Sequence, residues 1–365
     1  MRVMFVSVPL QGHLLPLLPF AAACRDAGHD VVLAGGGFPV DVLGLRTVEV
    51  AARFDLPRSA LLTTVRHPRL ALAELRGVAG HALVGEIFGR ANLALVEPLT
   101  AVARQERPDV IVYEPLSEAG AVVAGRLSIP SVLQENTLWP ADQLFRSVTT
   151  SRAFAGWDVP VPALTISVMP PSLRERAIPG AVTMRPVPSS GGGELPGWLA
   201  GPGDRPRILV SRSTLTGPAP GDPSAAVVAA AASVDAEFVL VRARIKGRLP
   251  ANVRPVGRIP ISEALPHAAG FVHHAGAGSI LGGLAAGVPQ LVTPGPGDRT
   301  HNAGALAATG AGLSVAATSI TADTLTRLLT DTTILAAART VAAEIAAMPA
   351  PAEVVPLLEA VSSAA

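Results

Sequence analysis

Residues 271–306 read FVHHAGAGSILGGLAAGVPQLVTPGPGDRTHNAGAL, and no other stretch restricts the fold as much. The short apolar run Phe271–His274 predicts a buried strand. Gly276 and Gly278 predict a sharp turn that a ligand can approach closely. Ser279 predicts the N-cap of a helix running to Ala286, with Gly287 as its stop. The amides at such a helix start, with His274 beside them, form a seat for an anion, and a diphosphate suits it best. Glycine turns of this kind occur in any α/β protein, so the seat needs context. The context is a further strand, Pro289–Thr293, and a polar loop, Pro294–Asn302. In an open parallel sheet the carboxyl ends of successive strands share one crevice. Asp298 and Arg299 are therefore expected beside His274 and Ser279, a sugar-hydroxyl acceptor next to a phosphate site.

The chain has 365 residues, enough for two domains that each bury a core. Its 29 basic and 28 acidic residues nearly cancel, so nothing selects nucleic acid or an anionic membrane surface. A mean hydropathy of +0.42 invites a membrane reading. Pro, Gly, Arg and Asp, however, interrupt every apolar run before the roughly 20 residues a spanning helix needs. The excess comes from Ala, Val and Leu suited to buried parallel strands. A single cysteine, Cys24, excludes an internal disulfide and fits a reducing, cytoplasmic compartment. It sits in an apolar helical pattern and reads as a core residue. The opening MRVMFVSVPLQGH turns polar too soon for a signal peptide.

Arg2–Val8 reads as a central parallel strand, Gln11–His13 as the turn after it, Leu14–Ala27 as a helix, and Asp30–Ala34 as a second strand. The chain thus opens βαβ, the unit of a parallel sheet. Residues 55–100 carry helical periodicity. Pro108–Tyr113 and Ile129–Leu133 are further strands, with a helix to Leu127 between them. Trp157–Gly203 is rich in Pro, Gly and Ser, and its end reads as an interdomain linker. The pattern then restarts: strands at Arg207–Val210, Glu237–Val241, Arg254–Val256, Phe271–His274 and Pro289–Thr293, then helices over Thr321–Ala347 and Ala352–Val361. Both halves read as doubly wound sheets with a cleft between them.

His13 follows a strand and a glycine, where its ring projects toward the crevice. Neutral imidazole is the best general base near pH 7. Glu114, at another strand end, can accept from the other ring nitrogen, fix the tautomer and stabilise the imidazolium. Ser117 and Glu118 compete with it. A helix-capping or surface histidine and a solvated loop carboxylate are the ordinary alternatives. No His/Asp/Glu cluster has metal-ligand spacing, and His273 and His274, adjacent in one strand, point to opposite faces. No metal and no cofactor is therefore expected, and a leaving diphosphate would be neutralised by the helix start, His274 and hydroxyls. A serine elbow, a Walker A lysine and a glycine fingerprint after the first strand are all missing.

Five stretches, VSVPLQGHLLPLLPFAAACRDAGHDV, PDVIVYEPLSEAGAVVAGRLSIPSV, MRPVPSSG, the block 271–306 and AAEIAAMPAPAEVVPLLE, resemble the family-1 glycosyltransferases of GT-B fold that decorate natural products in actinomycetes. The resemblance runs over nearly the whole chain and is most specific in 271–306. It implies two Rossmann-like α/β domains: an acceptor-binding domain over 1–185, a linker over 186–205, a nucleotide-sugar domain over 206–347, and a final helix, 348–365, crossing back to the first. It implies an inverting transferase that takes a nucleotide-activated sugar, dTDP- or UDP-linked, to a hydrophobic aglycone, with the donor a substrate and not a cofactor. By that likeness His13 matches the base and Glu114 the place of an aspartate. His274 meets the α-phosphate with Gly276, Gly278 and Ser279, and Asp298 and Arg299 face the sugar. Arg258 covers the nucleobase, stacking where relatives often carry an aromatic ring. Ser213 and Thr214 lie near phosphate and base. Gly12, Leu138 and Trp139 are candidate acceptor contacts, although core packing is the ordinary role for the last two.

Some residues depart from the family pattern. Arg299 stands where glutamine is usual and His301 where aspartate is common. Pro186, Ser189 and Ser190 replace Tyr, Tyr and Asn. Two other readings share the fold or the ligand: a sugar-nucleotide epimerase, and a catalytically silent nucleotide-sugar binder assisting a partner transferase. The first lacks a carboxylate cluster around the sugar, and the second has no use for His13. Sugar, aglycone, O- or C-linkage and a homodimer are left open.

Overall fold

The computed structural model describes residues 1–364 except 39–42, 76–78, 175, 190–192, 202, 214–221, 243–244 and 246. The chain divides into two compact units. The first is Met1–Met169, Glu175–Arg185 and Met348–Ala365; the second is Pro170–Arg174 and Pro186–Ala347.

Seven strands build the first unit: β1 (Arg2–Val6), β2 (Asp30–Gly35), β3 (Arg46–Glu49), β4 (Val110–Tyr113), β5 (Ser131–Gln134), β6 (Leu164–Ser167) and β7 (Val182–Thr183). They pair in parallel in the order β3-β2-β1-β4-β5-β6-β7. The central strands are apolar on both faces because helices cover both; Val3, Met4, Val6, Ile111 and Val112 are wholly buried. The 25-residue helix Ala82–Glu106 packs against helices Ala119–Leu127 and Ala141–Thr149. The last helix, Pro351–Ser363, buries Val354, Val355 and Leu358 and packs on helix Leu18–Asp26, where Cys24 is buried. Burial, reinforced by Glu359, pushes the Cys24 thiol up to about 12, so it stays a core thiol.

The second unit holds β8 (Arg207–Ser211), β9 (Glu237–Val241), β10 (Val253–Val256), β11 (Gly270–His273), β12 (Gln290–Val292) and β13 (Gly312–Ser314). All pair in parallel, in the order β10-β9-β8-β11-β12-β13. Apolar clusters lie around this sheet, one with Val210, Phe238 and Leu328, another with Leu209, Val239 and Phe271. The fold is α/β, two units each built on one parallel sheet.

Several details differ from the sequence reading. Four short strands, β3, β6, β7 and β13, were not expected. The stretch 186–205 groups with the second unit: Leu199 is buried in its core, and the Arg254 guanidinium lies 4.3 Å above the Trp198 ring. Residues 170–174 also leave the first unit, Ser172 donating from its amide and hydroxyl to Glu344. The helix expected over Leu14–Ala27 begins earlier, as Gln11–Leu14, and passes through a 3₁₀ turn at Leu15–Leu17. No single helix among the described residues is long and apolar enough to cross a bilayer.

Candidate active site

Strand order reverses between β1 and β4 in the first sheet and between β8 and β11 in the second. Chains leaving such neighbouring strands diverge and open a crevice at the carboxyl ends. Of the sequence-predicted polar residues, His13 and Glu114 follow the strands that flank the first point, and Ser213 and His274 those that flank the second.

In the first unit, Val6 pairs with Tyr113, which sets Ser7 level with Glu114. The helical turn after β1 carries His13 back over the sheet edge, and its Nδ1 lies 3.0 Å from Glu114 Oε2. Glu114 is fully buried yet richly bonded. Its carboxylate accepts from Ser117 Oγ at 2.7 Å, the Leu116 amide at 2.9 Å and the Val8 amide at 3.3 Å. Asn136, just beyond β5, donates through Nδ2 to Glu114 and to the His13 carbonyl, each at 3.3 Å. Burial pushes this carboxyl up, but His13, Ser117 and the Leu116 amide together outweigh it and hold the group below the ordinary glutamate range. An ionised carboxylate only accepts, so His13 Nδ1 carries the proton and Nε2 is the basic nitrogen of the neutral ring. Phe88 lies 6.1 Å from the imidazole, tilted by 37°.

Asn92, also buried, fixes the loop from below: its Nδ2 donates to the Leu116 carbonyl at 2.7 Å and its Oδ1 accepts from the Ala119 amide at 3.1 Å. Glu118 is the exception. It is wholly buried, and neither carboxyl oxygen has a hydrogen-bond partner among the described residues. Burial, then the Glu114 charge, push it well above the usual range, so it is neutral. Gly12 is exposed with open space around it. Leu138 and Trp139 are buried, and Trp139 belongs to the apolar core with its ring edge-on to His81 at 6.2 Å.

In the second unit, His273 pairs with Ser211 and faces inward. It stacks on Phe271 at 4.3 Å, its Nε2 lies 2.8 Å from Gln290 Oε1, and burial, opposed by Gln290, lowers it to about 4. His274 lies beyond the strand rather than in it. The chain turns at Ala275, whose φ of +60° is left-handed, while Gly276 is at −69° and caps the helix Ala277–Ala285. Two expectations are corrected here. The left-handed turn falls on Ala275 and not on the glycines, and Ser279 is the third helical residue and not the cap, because the turn at Ala275 starts the helix early. Gly276 is needed for another reason: a Cβ there would lie 2.7 Å from His274 Nε2. Gly278 is exposed with open space around it, and the amides of Ala277 and Gly278 have no partner within the helix.

The loop after β12 meets this corner. Asp298 caps the helix Arg299–Ala308, and its Oδ2 accepts from Asn302 Nδ2 at 2.7 Å. The same amide donates to the Ala275 carbonyl at 2.9 Å, so one buried asparagine ties the two loops. Arg299 folds over Gly295, where a Cβ would meet its Cζ at 2.7 Å, and donates from Nε to the Pro296 carbonyl. Burial first, then His273, Arg299 and Arg242, lower His274 to about 3; its Nδ1 is shielded and has no hydrogen-bond partner among the described residues. Ser213 is half-buried two residues past β8, and Arg258 is exposed two residues past β10. Thr214 lies outside the described residues. Among the described residues no group of three or more His, Cys, Asp or Glu is arranged to hold a metal ion.

Family models agree with this geometry. Residues 22–213 match the N-terminal domain, and 225–361 the C-terminal domain, of erythromycin biosynthesis protein CIII-like proteins. The chain belongs to that family. It is a glycosyltransferase of the family-1, natural-product type. The transferase is 35% identical to the elloramycin glycosyltransferase ElmGT of Streptomyces olivaceus, over 97% of its own length and 96% of that protein's. Among solved structures it is similar to the glycosyltransferase SnogD from Streptomyces nogalater, with a TM-score of 0.82, 31% identity and 99% of each chain covered. It is also similar to the spinosyn rhamnosyltransferase SpnG, with a TM-score of 0.80 and 27% identity over 98% of this chain and 100% of that one. SpnG has been solved with thymidine diphosphate and with spinosyn aglycone. His13 precedes the stretches matched by the family models; Glu114 and Ser213 lie in the first matched range, and the other donor-side residues except Thr214 lie in the second.

Proposed function

We propose that the transferase moves a sugar, with inversion, from a dTDP- or UDP-sugar to a hydrophobic natural-product aglycone, His13 acting as general base. The observation that carries this reading is the 3.0 Å contact between His13 Nδ1 and a buried, ionised Glu114. It orients Nε2 as proton acceptor for an acceptor hydroxyl or an activated ring carbon, and stabilises the imidazolium once formed. With no covalent intermediate on the protein, a single displacement inverts the anomeric carbon.

On the donor side, the diphosphate meets the first-turn amides of Ala277 and Gly278, the Ser279 hydroxyl and the His274 ring, with Ser213 nearby; Thr214 is assigned to the same ligand from the sequence alone. Asp298 accepts from sugar hydroxyls, Arg299 modifies that preference, and Arg258 stacks on the base. Positive charge for the leaving group comes from the protein, and transfer needs no divalent cation. Gly12, beside the base, contacts the aglycone, and the buried Leu138 and Trp139 back the acceptor side. The solved complexes of SpnG with thymidine diphosphate and with an aglycone support both ligand classes. Epimerisation and silent binding are not favoured, since the named relatives are transferases.

The test is incubation with a dTDP-sugar, then with candidate aglycones, following nucleotide release. Release that depends on the aglycone, unchanged by EDTA, is expected. A new sugar nucleotide formed from donor alone would replace transfer by epimerisation.

A further inference from the structure

Arg242 belongs to no part of the site described so far. It follows β9, and the register Ser211↔Val241 and Val241↔Val256 sets it between the ends of β8 and β10. Its amide donates to the Val256 carbonyl at 2.9 Å, and its Nη2 to the Arg212 carbonyl at 3.0 Å. Because Ser211 also pairs with His273, the same register brings Arg212 beside His274, the switch point of this sheet.

The backbone at Arg242 is left-handed, φ +55°, a conformation that disfavours a non-glycine residue. Glycine would suit that backbone better, and the bond to the Arg212 carbonyl engages only one end of a guanidinium that is half-withdrawn from water. It makes no ion pair with a carboxylate among the described residues, since Arg212 takes Asp222 at 3.7 Å and Asp298 is bound to Asn302. Burial first, then the charges of Arg258 and Arg212, lower its pKa. Its charge is also felt at His274, whose shielded Nδ1 has no partner. Two cationic side chains, Arg242 and Arg299, acting on a half-buried imidazole whose shielded Nδ1 lacks a partner describe a place prepared for a polyanion.

We infer that Arg242 is a phosphate-binding residue, which grips the donor's diphosphate and holds it more tightly as the sugar leaves. This rests on the transferase reading above. In transfer the bond from the anomeric carbon to the β-phosphate oxygen breaks, and its electron pair stays on that oxygen. The acceptor oxygen or carbon bonds to the anomeric carbon, and its proton goes to His13. The diphosphate thereby gains one negative charge, and a guanidinium fixed in place stabilises that state over the intact donor.

Calorimetric titration of the full chain with dTDP, UDP and dTMP tests this with two variants. Arg242→Gly suits the left-handed backbone, so its melting temperature should match or exceed that of the unsubstituted protein. It should bind the nucleoside diphosphate roughly tenfold to a hundredfold more weakly, the usual worth of a charge-assisted hydrogen bond to phosphate, and dTMP nearly as before. Arg242→Lys should recover part of the loss, and kcat should fall in Arg242→Gly even at saturating donor. Undiminished diphosphate affinity in folded Arg242→Gly overturns the inference and leaves the transferase reading standing. Failure of the unsubstituted protein to bind either nucleoside diphosphate overturns both.

Discussion

The two strand-end sites are opposites in how completely they are satisfied. In the first unit, Glu114 accepts from two side chains, two amides and the His13 ring, and its negative charge is matched on the spot. In the second, His274 Nδ1 has no partner among the described residues, and Arg242 adds charge without a carboxylate to answer it. A base must be held in one tautomer before substrate arrives, so its network is complete in advance. A seat for a polyanion has to keep its donors uncommitted until the ligand brings the missing charge. Removing groups from the first should therefore damage rate, and removing groups from the second should damage binding.

The largest effect is expected at His13. His13→Ala should lower transfer by about 10²–10⁴, the usual share of general-base catalysis, with nucleoside diphosphate affinity unchanged by calorimetry. Near-normal turnover in that variant would remove His13 from the mechanism and, with it, the rate-and-binding contrast.

Glu114→Gln is the next step down. The amide keeps the shape but replaces an acceptor-only oxygen by a group that also donates, so the His13 tautomer is no longer dictated. A loss of about tenfold to a hundredfold in kcat, typical of groups that orient a reactive side chain, should come with an altered pH–rate profile. Because the Glu114 pKa is held below its unfolded value, its contribution to stability is present above pH ~4.5 and fades as acid protonates the folded protein. Glu114→Gln should therefore flatten the acid limb of a melting-temperature profile. A merely structural role would move that limb and leave the rate profile where it was.

Much of this contrast could be read in the sequence, and what escaped has physical causes. His13 and Glu114 follow apolar runs directly, which marks strand ends, and polar residues at parallel strand ends converge. Asn136, Asn92 and Asn302 act through their amides across 22 to 27 residues of sequence; no local pattern announces such a partner, although Asn136 also sits just beyond a strand. Strands β3 and β13 are edge strands of four and three residues, too short for periodicity to register. At 271–279 the glycines were given the turn because glycine tolerates positive φ; Ala275 takes that conformation instead, and the adjacent glycine is reserved for the imidazole. Arg242 could not be seen, because its neighbours come from two other strands and only the register brings them together.

The smallest expected effect concerns Glu118, where the first unit departs from its own rule. Its carboxyl is buried without a partner and neutral, so above pH ~4.5 the unfolded chain gives up a proton that the folded chain keeps. The unfolded state then binds fewer protons, and stability falls as pH rises from that point toward the raised folded value. Glu118→Gln, which keeps the volume and cannot ionise, should remove this penalty. A melting temperature a few degrees above that of the unsubstituted protein at pH 8, converging with it at pH 4, is the expected result, with kcat nearly unchanged. A substantial loss of kcat would mean instead that the neutral carboxyl supports the charge on Glu114, and the completed network of the first unit would have to be redrawn to include it.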